Sequence, residues 1–346
     1  MKAAIFRGAN DVACGELPDP VIQQPTDAVV RIVLAAVCGS DLWYYRGISP
    51  HPDPAIGHEF VGVVEETGSD VRTIRKGDFV ISPFAFSDGT CPNCRAGVQT
   101  ACVNGGFFGG GGNGGGQAER IRVPLADGTL LAVPVDKHDE AVMRSFVTVC
   151  DVMATGHHAV VSARTEQGST IAIVGDGAVG LCAVIAARRI GAERVIALSR
   201  NPARQALARE FGATDIVAER GDAATDAVLA LTDGVGVDAV AECVGTADAF
   251  ASAFAIARAG GNVGFVGVPH DVASPVEAMF RRNVGLKGGS APVREYLPGL
   301  LEDVLGGRLD PGRVFDLEVD LAHIGDAYAA MDDRRAVKAL VRVGAR

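Results

Sequence analysis

Ile171-Ala172-Ile173-Val174-Gly175-Asp176-Gly177-Ala178-Val179-Gly180 decides the fold of this 346-residue chain. A β-branched run enters the first glycine, and Ala178 to Ile190 reads as a helix leaving the last. In that frame the G-x-G-x-x-G spacing has a physical meaning. Gly175 permits a tight turn, Gly177 lets the backbone approach a pyrophosphate, and Gly180 lets helix and strand pack closely. The helix N-terminus, with Ala178 and Val179 in its first turn, would face the phosphates. A glycine-rich strand-to-helix turn with no ligand is the plain alternative.

Working outward, strand and helix alternate: Thr170–Val174, Ala178–Ile190, Arg194–Ser199, Pro202–Phe211, Asp238–Cys243, Ala247–Ala259, Asn262–Val268. Such alternation predicts a doubly wound parallel sheet with helices on both faces. Upstream, short apolar runs broken by Gly and Pro (Ala28 to Val37, Phe60 to Glu66, Asp78 to Ser82) predict a β-rich domain with little helix. The fold class is thus α/β plus β, with expected domains 1–152, 153–289 and a return segment 290–346 that completes the first. Nine glycines in positions 105–116 predict a mobile loop.

The strand after the fingerprint ends in Ser199-Arg200-Asn201, with Arg204 a helical turn further on. Folds selective for NAD usually present an acid here to the adenosine ribose. With no carboxylate to repel a 2′-phosphate, and two guanidiniums and a hydroxyl able to hold one, the reading is NADP(H) in preference to NAD(H). Both arginines could instead be solvated at a helix start.

The net charge of −10 gives no general attraction for nucleic acid or anionic lipid. No apolar run is long enough for a signal peptide or a membrane span, so a cytoplasmic protein with a small-molecule substrate is expected. Eight cysteines are too sparse for a disulfide scaffold, and Cys91, Cys94 and Cys102 cluster as metal ligands do.

Cys38, Gly57-His58-Glu59 and Asp151 offer zinc three ligands and leave a position open, as a catalytic zinc requires. Singly, each has a plain reading: a buried thiol, a core histidine, a helix cap. Their joint order, with a hydride carrier downstream, points to alcohol and carbonyl redox chemistry.

These motifs, namely Cys38-Gly39-Ser40-Asp41, Gly57-His58-Glu59, Asp88 to Cys94 with Cys102, Asp151 to Gly156 and the glycine fingerprint, give the chain a resemblance to the zinc-dependent alcohol dehydrogenases of the medium-chain dehydrogenase/reductase family. The resemblance covers essentially the whole length. It implies a GroES-like β-rich catalytic domain, a Rossmann cofactor domain and an active site between them. Cys38, His58 and Asp151 match the catalytic zinc ligands, Asp151 standing where many relatives have cysteine. Glu59 matches a glutamate that can transiently reach the metal, or a simple anchor behind it. Ser40 matches the hydroxyl that begins proton release, unless it only caps a turn. Trp43 replaces a relay histidine and cannot shuttle protons; His51 is a weak substitute. Asp88, Cys91, Cys94 and Cys102 match a structural zinc lobe with Asp for the first cysteine. Val244, Gly267, Val268 and Ser290 lie where the family cradles the nicotinamide side. A homodimer or homotetramer is implied. A polyol or sugar dehydrogenase, or a non-catalytic NADP(H)-binding protein, are the rival readings.

Overall fold

The β-branched run ahead of the fingerprint forms the centre of a six-stranded parallel sheet. In this computed structural model, which describes residues 1–134 and 139–344, the strands are β1 (Thr170–Val174), β2 (Arg194–Leu198), β3 (Asp215–Val217), β4 (Val237–Glu242), β5 (Ala257–Phe265) and β6 (Gly285–Gly288). Their spatial order is β3-β2-β1-β4-β5-β6, so the chain reverses direction across the sheet beside β1. Ligands of open parallel sheets bind outside the strand ends at such a switch point. Ile171, Ala172 and Ile173 are fully buried, as a strand covered on both faces must be.

The helix Ala178–Ile190 starts from Gly177 and stops at Gly191, whose left-handed conformation (φ 94°) no β-branched residue would share cheaply. Arg188 and Arg189 in its last turn complement the helix dipole. Asn201 caps the next helix, Pro202–Glu210, accepting hydrogen bonds from Ala203 N (2.9 Å) and Arg204 N (3.3 Å). This unit comprises Val152–Ala291.

The other unit, Met1–Asp151 with Pro292–Arg346, is built on a mixed sheet. Its path runs Leu317–Asp320, Ala339–Arg342, Ala28–Ala36, Glu59–Thr67, Phe79–Ser82, Leu131–Ala132, with Arg120–Val123 also pairing on Ala28–Ala36. The strand register sets Ala36 opposite Glu59 on one side and Leu340 on the other. Cys38, His58 and Lys338, each one or two positions beyond those paired residues, therefore collect at one end of three adjacent strands.

Three features differ from the sequence reading. Residues 257–259, expected to end a helix, open strand β5, because the helix stops at Ile256 and Gly260-Gly261 could not prolong it. The β-rich unit contains a helix, Glu140–Val149, capped by Asp139 on Val142 N (2.9 Å) and burying Met143, Phe146, Val147 and Val149. The glycine run is packed: Gly109 N bonds Gly114 O (2.7 Å), Gly116 N bonds Gly57 O (2.8 Å), and a Cβ at Gly115 would lie 2.3 Å from Ile56 O. Glycine there serves close approach.

Candidate active site

One ligand atom from each of Cys38, His58, Glu59 and Asp151 lies within 4.8 Å of the others. The Cys38 thiol donates to Asp151 Oδ2 at 3.3 Å, and the same oxygen lies 3.2 Å from His58 Nε2. Two strand ends supply Cys38 and His58; Asp151 arrives from the loop after helix Glu140–Val149. Asp41 fixes the imidazole from behind, with Oδ1 3.4 Å from His58 Nδ1. Its Oδ2 accepts from Cys38 N (3.0 Å) and Gln117 Nε2 (3.2 Å), and Tyr328 OH donates to Gln117 Oε1 (2.9 Å). Gly57 is glycine because a Cβ there would stand 2.5 Å from the Gln117 side chain.

Burial, reinforced by the Asp151 carboxylate, pushes the Cys38 thiol up to about 11. Burial opposes a charge on His58, but Asp41, Cys38 and Asp151 outweigh it and raise the imidazole well above 6.5. The donors therefore hold protons that a cation would displace.

Glu59 lies behind this group, and Lys338 Nζ reaches its Oε1 at 2.7 Å and Val37 O at 3.2 Å. Burial disfavours the ammonium, yet facing Glu59 more than compensates and raises its pKa. Glu59 Oε2 is buried without a hydrogen-bond partner among the described residues. A sulfur, a nitrogen and two carboxylates, one with an orphaned oxygen, are a donor set that fits zinc.

Ser40 begins the short helix Asp41–Tyr45 without using its hydroxyl as a cap. Trp43 lies under the Arg46 guanidinium, 5.7 Å from ring centroid. His51 is packed against Tyr44 (4.6 Å) and edge-on to Phe6 (5.0 Å), with Nε2 3.0 Å from Ala55 O. That is a structural role.

Asp88, Cys91, Cys94 and Cys102 also bring ligand atoms within 4.8 Å. Asp88 Oδ1 accepts from Thr90 N (2.7 Å) and Cys91 N (2.9 Å), and Oδ2 from Asn104 Nδ2 (2.7 Å). Slight burial resists ionisation, but these donors hold the carboxyl well below its usual range. None of the eight cysteines is in a disulfide.

In the parallel-sheet unit, nothing lies within 4 Å of where a Cβ would stand at Gly177, whereas one at Gly180 would meet Gly175 O at 2.0 Å. The first is open space for a pyrophosphate; the second is helix–strand packing. These residues fit a dinucleotide. Beyond β4, Glu242 Oε1 accepts from Val244 N and Gly245 N (both 2.8 Å), and the backbones of Gly245 and Gly267 touch. Val268 and Ser290 are exposed.

At the end of β2 the sequence reading missed a residue. Ser199 Oγ donates to Asp176 Oδ2 (3.0 Å), and Arg204 Nη1 lies 3.2 Å from Asp176 O and 3.4 Å from its Oδ1. Arg200 is exposed, while Ser199, Arg204 and Asp176 are buried. Asp176 was visible as the first spacer of the fingerprint; Lys338, distant in sequence, carried no signal.

Residues 24–135 match the model of the alcohol dehydrogenase GroES-like domain, and residues 178–304 that of the zinc-binding dehydrogenases. A Mycobacterium tuberculosis protein described as a "probable zinc-binding alcohol dehydrogenase" is 37% identical, over 95% of this chain and 85% of its own length. Zinc-type alcohol dehydrogenase B of Aspergillus flavus is 33% identical, over 99% of this chain and 82% of its own. Among solved structures, alcohol dehydrogenase TADH of Thermus sp. ATN1 superposes with a TM-score of 0.91 at 32% identity, covering 99% of this chain and 100% of that one. A Sinorhizobium meliloti 1021 protein described as a "putative zinc-binding dehydrogenase", in a structure bound to NADP, gives 0.82 at 29% identity, covering 99% of each. Among the described residues no helix is long and apolar enough to cross a membrane.

Proposed function

The chain belongs to the zinc-dependent alcohol dehydrogenases of the medium-chain dehydrogenase/reductase family, an NAD(P)-linked oxidoreductase acting on CH–OH, and from that premise we propose that it interconverts a small secondary alcohol with its carbonyl compound using NADP(H). The observation that carries this is the group of buried Cys38, Glu59 and Asp151 with half-buried His58, their ligand atoms within 4.8 Å of one another. We assign Cys38, His58 and Asp151 as the catalytic zinc ligands and Asp88, Cys91, Cys94 and Cys102 as a structural zinc site. When bound, zinc supplies a Lewis acid for the substrate oxygen and the nicotinamide supplies a two-electron hydride carrier.

The chain's own residues do the rest. Asp41 keeps the His58 ring turned so that Nε2 faces the Cys38–Asp151 side. Lys338 holds one oxygen of Glu59, leaving the other without a hydrogen-bond partner among the described residues. Ser40, its hydroxyl uncommitted to capping, accepts the alcohol proton as hydride leaves carbon, and returns it in the reverse direction. From Ser40 the proton passes to water, since an indole at 43 offers no acceptor and His51 is engaged with Ala55 O.

Gly175, Gly177, Ala178, Val179 and Gly180 hold the pyrophosphate, and Val244, Gly267, Val268 and Ser290 the nicotinamide side. Preference for NADP(H) is supported by Ser199-Arg200 at the end of β2, a strand that supplies no acid of its own there, and by the NADP-bound relative. Free cysteines favour a reducing cytoplasm, and a homodimer or homotetramer is the assembly to test by light scattering.

The deciding experiment measures initial rates with NADPH and NADH over a panel of ketones and aldehydes, with zinc quantified on the same sample. Turnover with NADPH and zinc present supports the reading. Cofactor binding without zinc or turnover overturns it in favour of a non-catalytic protein.

A further inference from the structure

Asp176 occupies the first spacer of the glycine fingerprint, yet its side chain turns toward the end of β2. One carboxylate oxygen takes the Ser199 hydroxyl at 3.0 Å and the other faces Arg204 at 3.4 Å. All three side chains are buried. Arg204 is held in place independently, because Asn201 caps its helix and bonds its backbone N–H. The carboxylate that β2 does not supply is thus delivered to the same place from the neighbouring loop.

We propose that Asp176 is the determinant that balances NADP(H) against NAD(H) in this chain. It rests on the reading that a nicotinamide dinucleotide binds at this fingerprint. A ribose bearing free hydroxyls can share the carboxylate as an acceptor. A 2′-phosphate brings negative charge against it and can use Arg204 and Ser199 only by drawing them away from Asp176. The exposed Arg200 is free of that competition and remains available to the phosphate. The carboxylate therefore lowers a preference that Ser199, Arg200 and Arg204 would otherwise make strong.

The test compares binding of adenosine 2′,5′-bisphosphate and of 5′-AMP by isothermal titration, which needs neither zinc nor turnover. Asp176→Asn keeps the shape and removes the charge. It should improve the affinity ratio for the bisphosphate over AMP by about tenfold or more, as expected when the Arg204 guanidinium, no longer held by a carboxylate, pairs with the phosphate. Adding Arg204→Gln to that variant should erase the gain. Arg204→Gln alone, in protein with Asp176 intact, should change the ratio less than about threefold, because the guanidinium is already committed. The inference is overturned by an unchanged or lowered ratio in Asp176→Asn, by a gain that survives Arg204→Gln, or by a large loss in the single Arg204→Gln. The last arm stands even where Asp176→Asn folds poorly. An unmodified protein that prefers NADH would defeat the NADP(H) reading but not this one, which concerns the change in ratio.

Discussion

Replacing Lys338 by Met tests whether the pair behind the candidate zinc site is coupled to it. Lys338 and Glu59 are at most 1% exposed and meet at 2.7 Å. Breaking a buried pair by removing one partner costs about 3–5 kcal/mol, because the remaining charge is left uncompensated. Methionine keeps most of the stem's length and apolar packing, so little of the loss would come from a cavity. Two relief routes exist for Glu59: it takes up a proton, or a metal on its side of the site answers it. The metal-free variant should therefore lose roughly 3–5 kcal/mol, and zinc should restore more stability to the variant than to the unmodified protein. Glu59→Gln combined with Lys338→Met should be more stable than Lys338→Met alone, since no charge is then stranded. Urea unfolding followed by fluorescence of Trp43, the single tryptophan, reports on the unit that holds both residues. A metal-free variant within about 1 kcal/mol of the unmodified protein would refute the argument. So would a double variant no more stable than the single one.

Zinc filling the Cys38–His58–Asp151 site at pH 7, in protein whose Asp88–Cys102 lobe is already loaded, should displace about two protons, because His58 is raised well above 6.5 and the Cys38 thiol sits at about 11. The raised His58 pKa stabilises metal-free protein fully below about pH 6.5, and that contribution fades as pH rises through the folded-state value, whereas zinc affinity grows over the same range. Calorimetric titration in two buffers of different ionisation enthalpy measures the count, and zero release would contradict it. Cys38→Ala should lose turnover while retaining cofactor affinity, and a chelator should abolish activity before the far-UV signal changes; simultaneous loss of both would argue against a preformed site. Gly180→Ala, whose Cβ would sit 2.0 Å from Gly175 O, should destabilise by about 1–3 kcal/mol and weaken cofactor binding. Unaltered melting and affinity would remove the packing reason for that glycine.

The parallel sheet was legible because β1, β2, β4 and β5 carry apolar runs that are buried or bounded by glycine, a local signal that burial enforces. Strands β3 and β6 and the helix Gly221–Leu231 were not read, since three or four residues of strand and an alanine-rich helix with Gly at its start give little periodicity. The donors Cys38, His58 and Asp151 were legible through order along the chain. Their supports were not: Lys338 meets the site because Ala339–Arg342 pairs antiparallel with Ala28–Ala36, Gln117 because its backbone bonds Ile56 O (3.4 Å) and Ala4 N (2.8 Å), and Tyr328 from helix Ile324–Asp332. Register of that kind depends on the whole sheet. Asp41 was part of a recognised motif, but its role required knowing that both its oxygens face inward.

Aspartates at 88, 151 and 176 each stand where a pattern read residue by residue would place a different group or none, and the geometry gives a common reason. A carboxylate can join two partners at once, divided between its two oxygens at 88 and 176 and through Oδ2 at 151. Asp88 joins the Thr90 and Cys91 backbone to Asn104 while remaining among the three thiols, so the lobe retains a scaffold of its own. Asp151 places one oxygen against both Cys38 and His58, drawing the donors together. Asp176 links Ser199 to Arg204 across the space between two strand ends. Spacing in the sequence gives each carboxylate its address, but the division of its oxygens is decided by the fold. For the same reason asparagine, which keeps one oxygen and the shape but not the charge, separates electrostatics from geometry at all three positions, whereas alanine would remove both together.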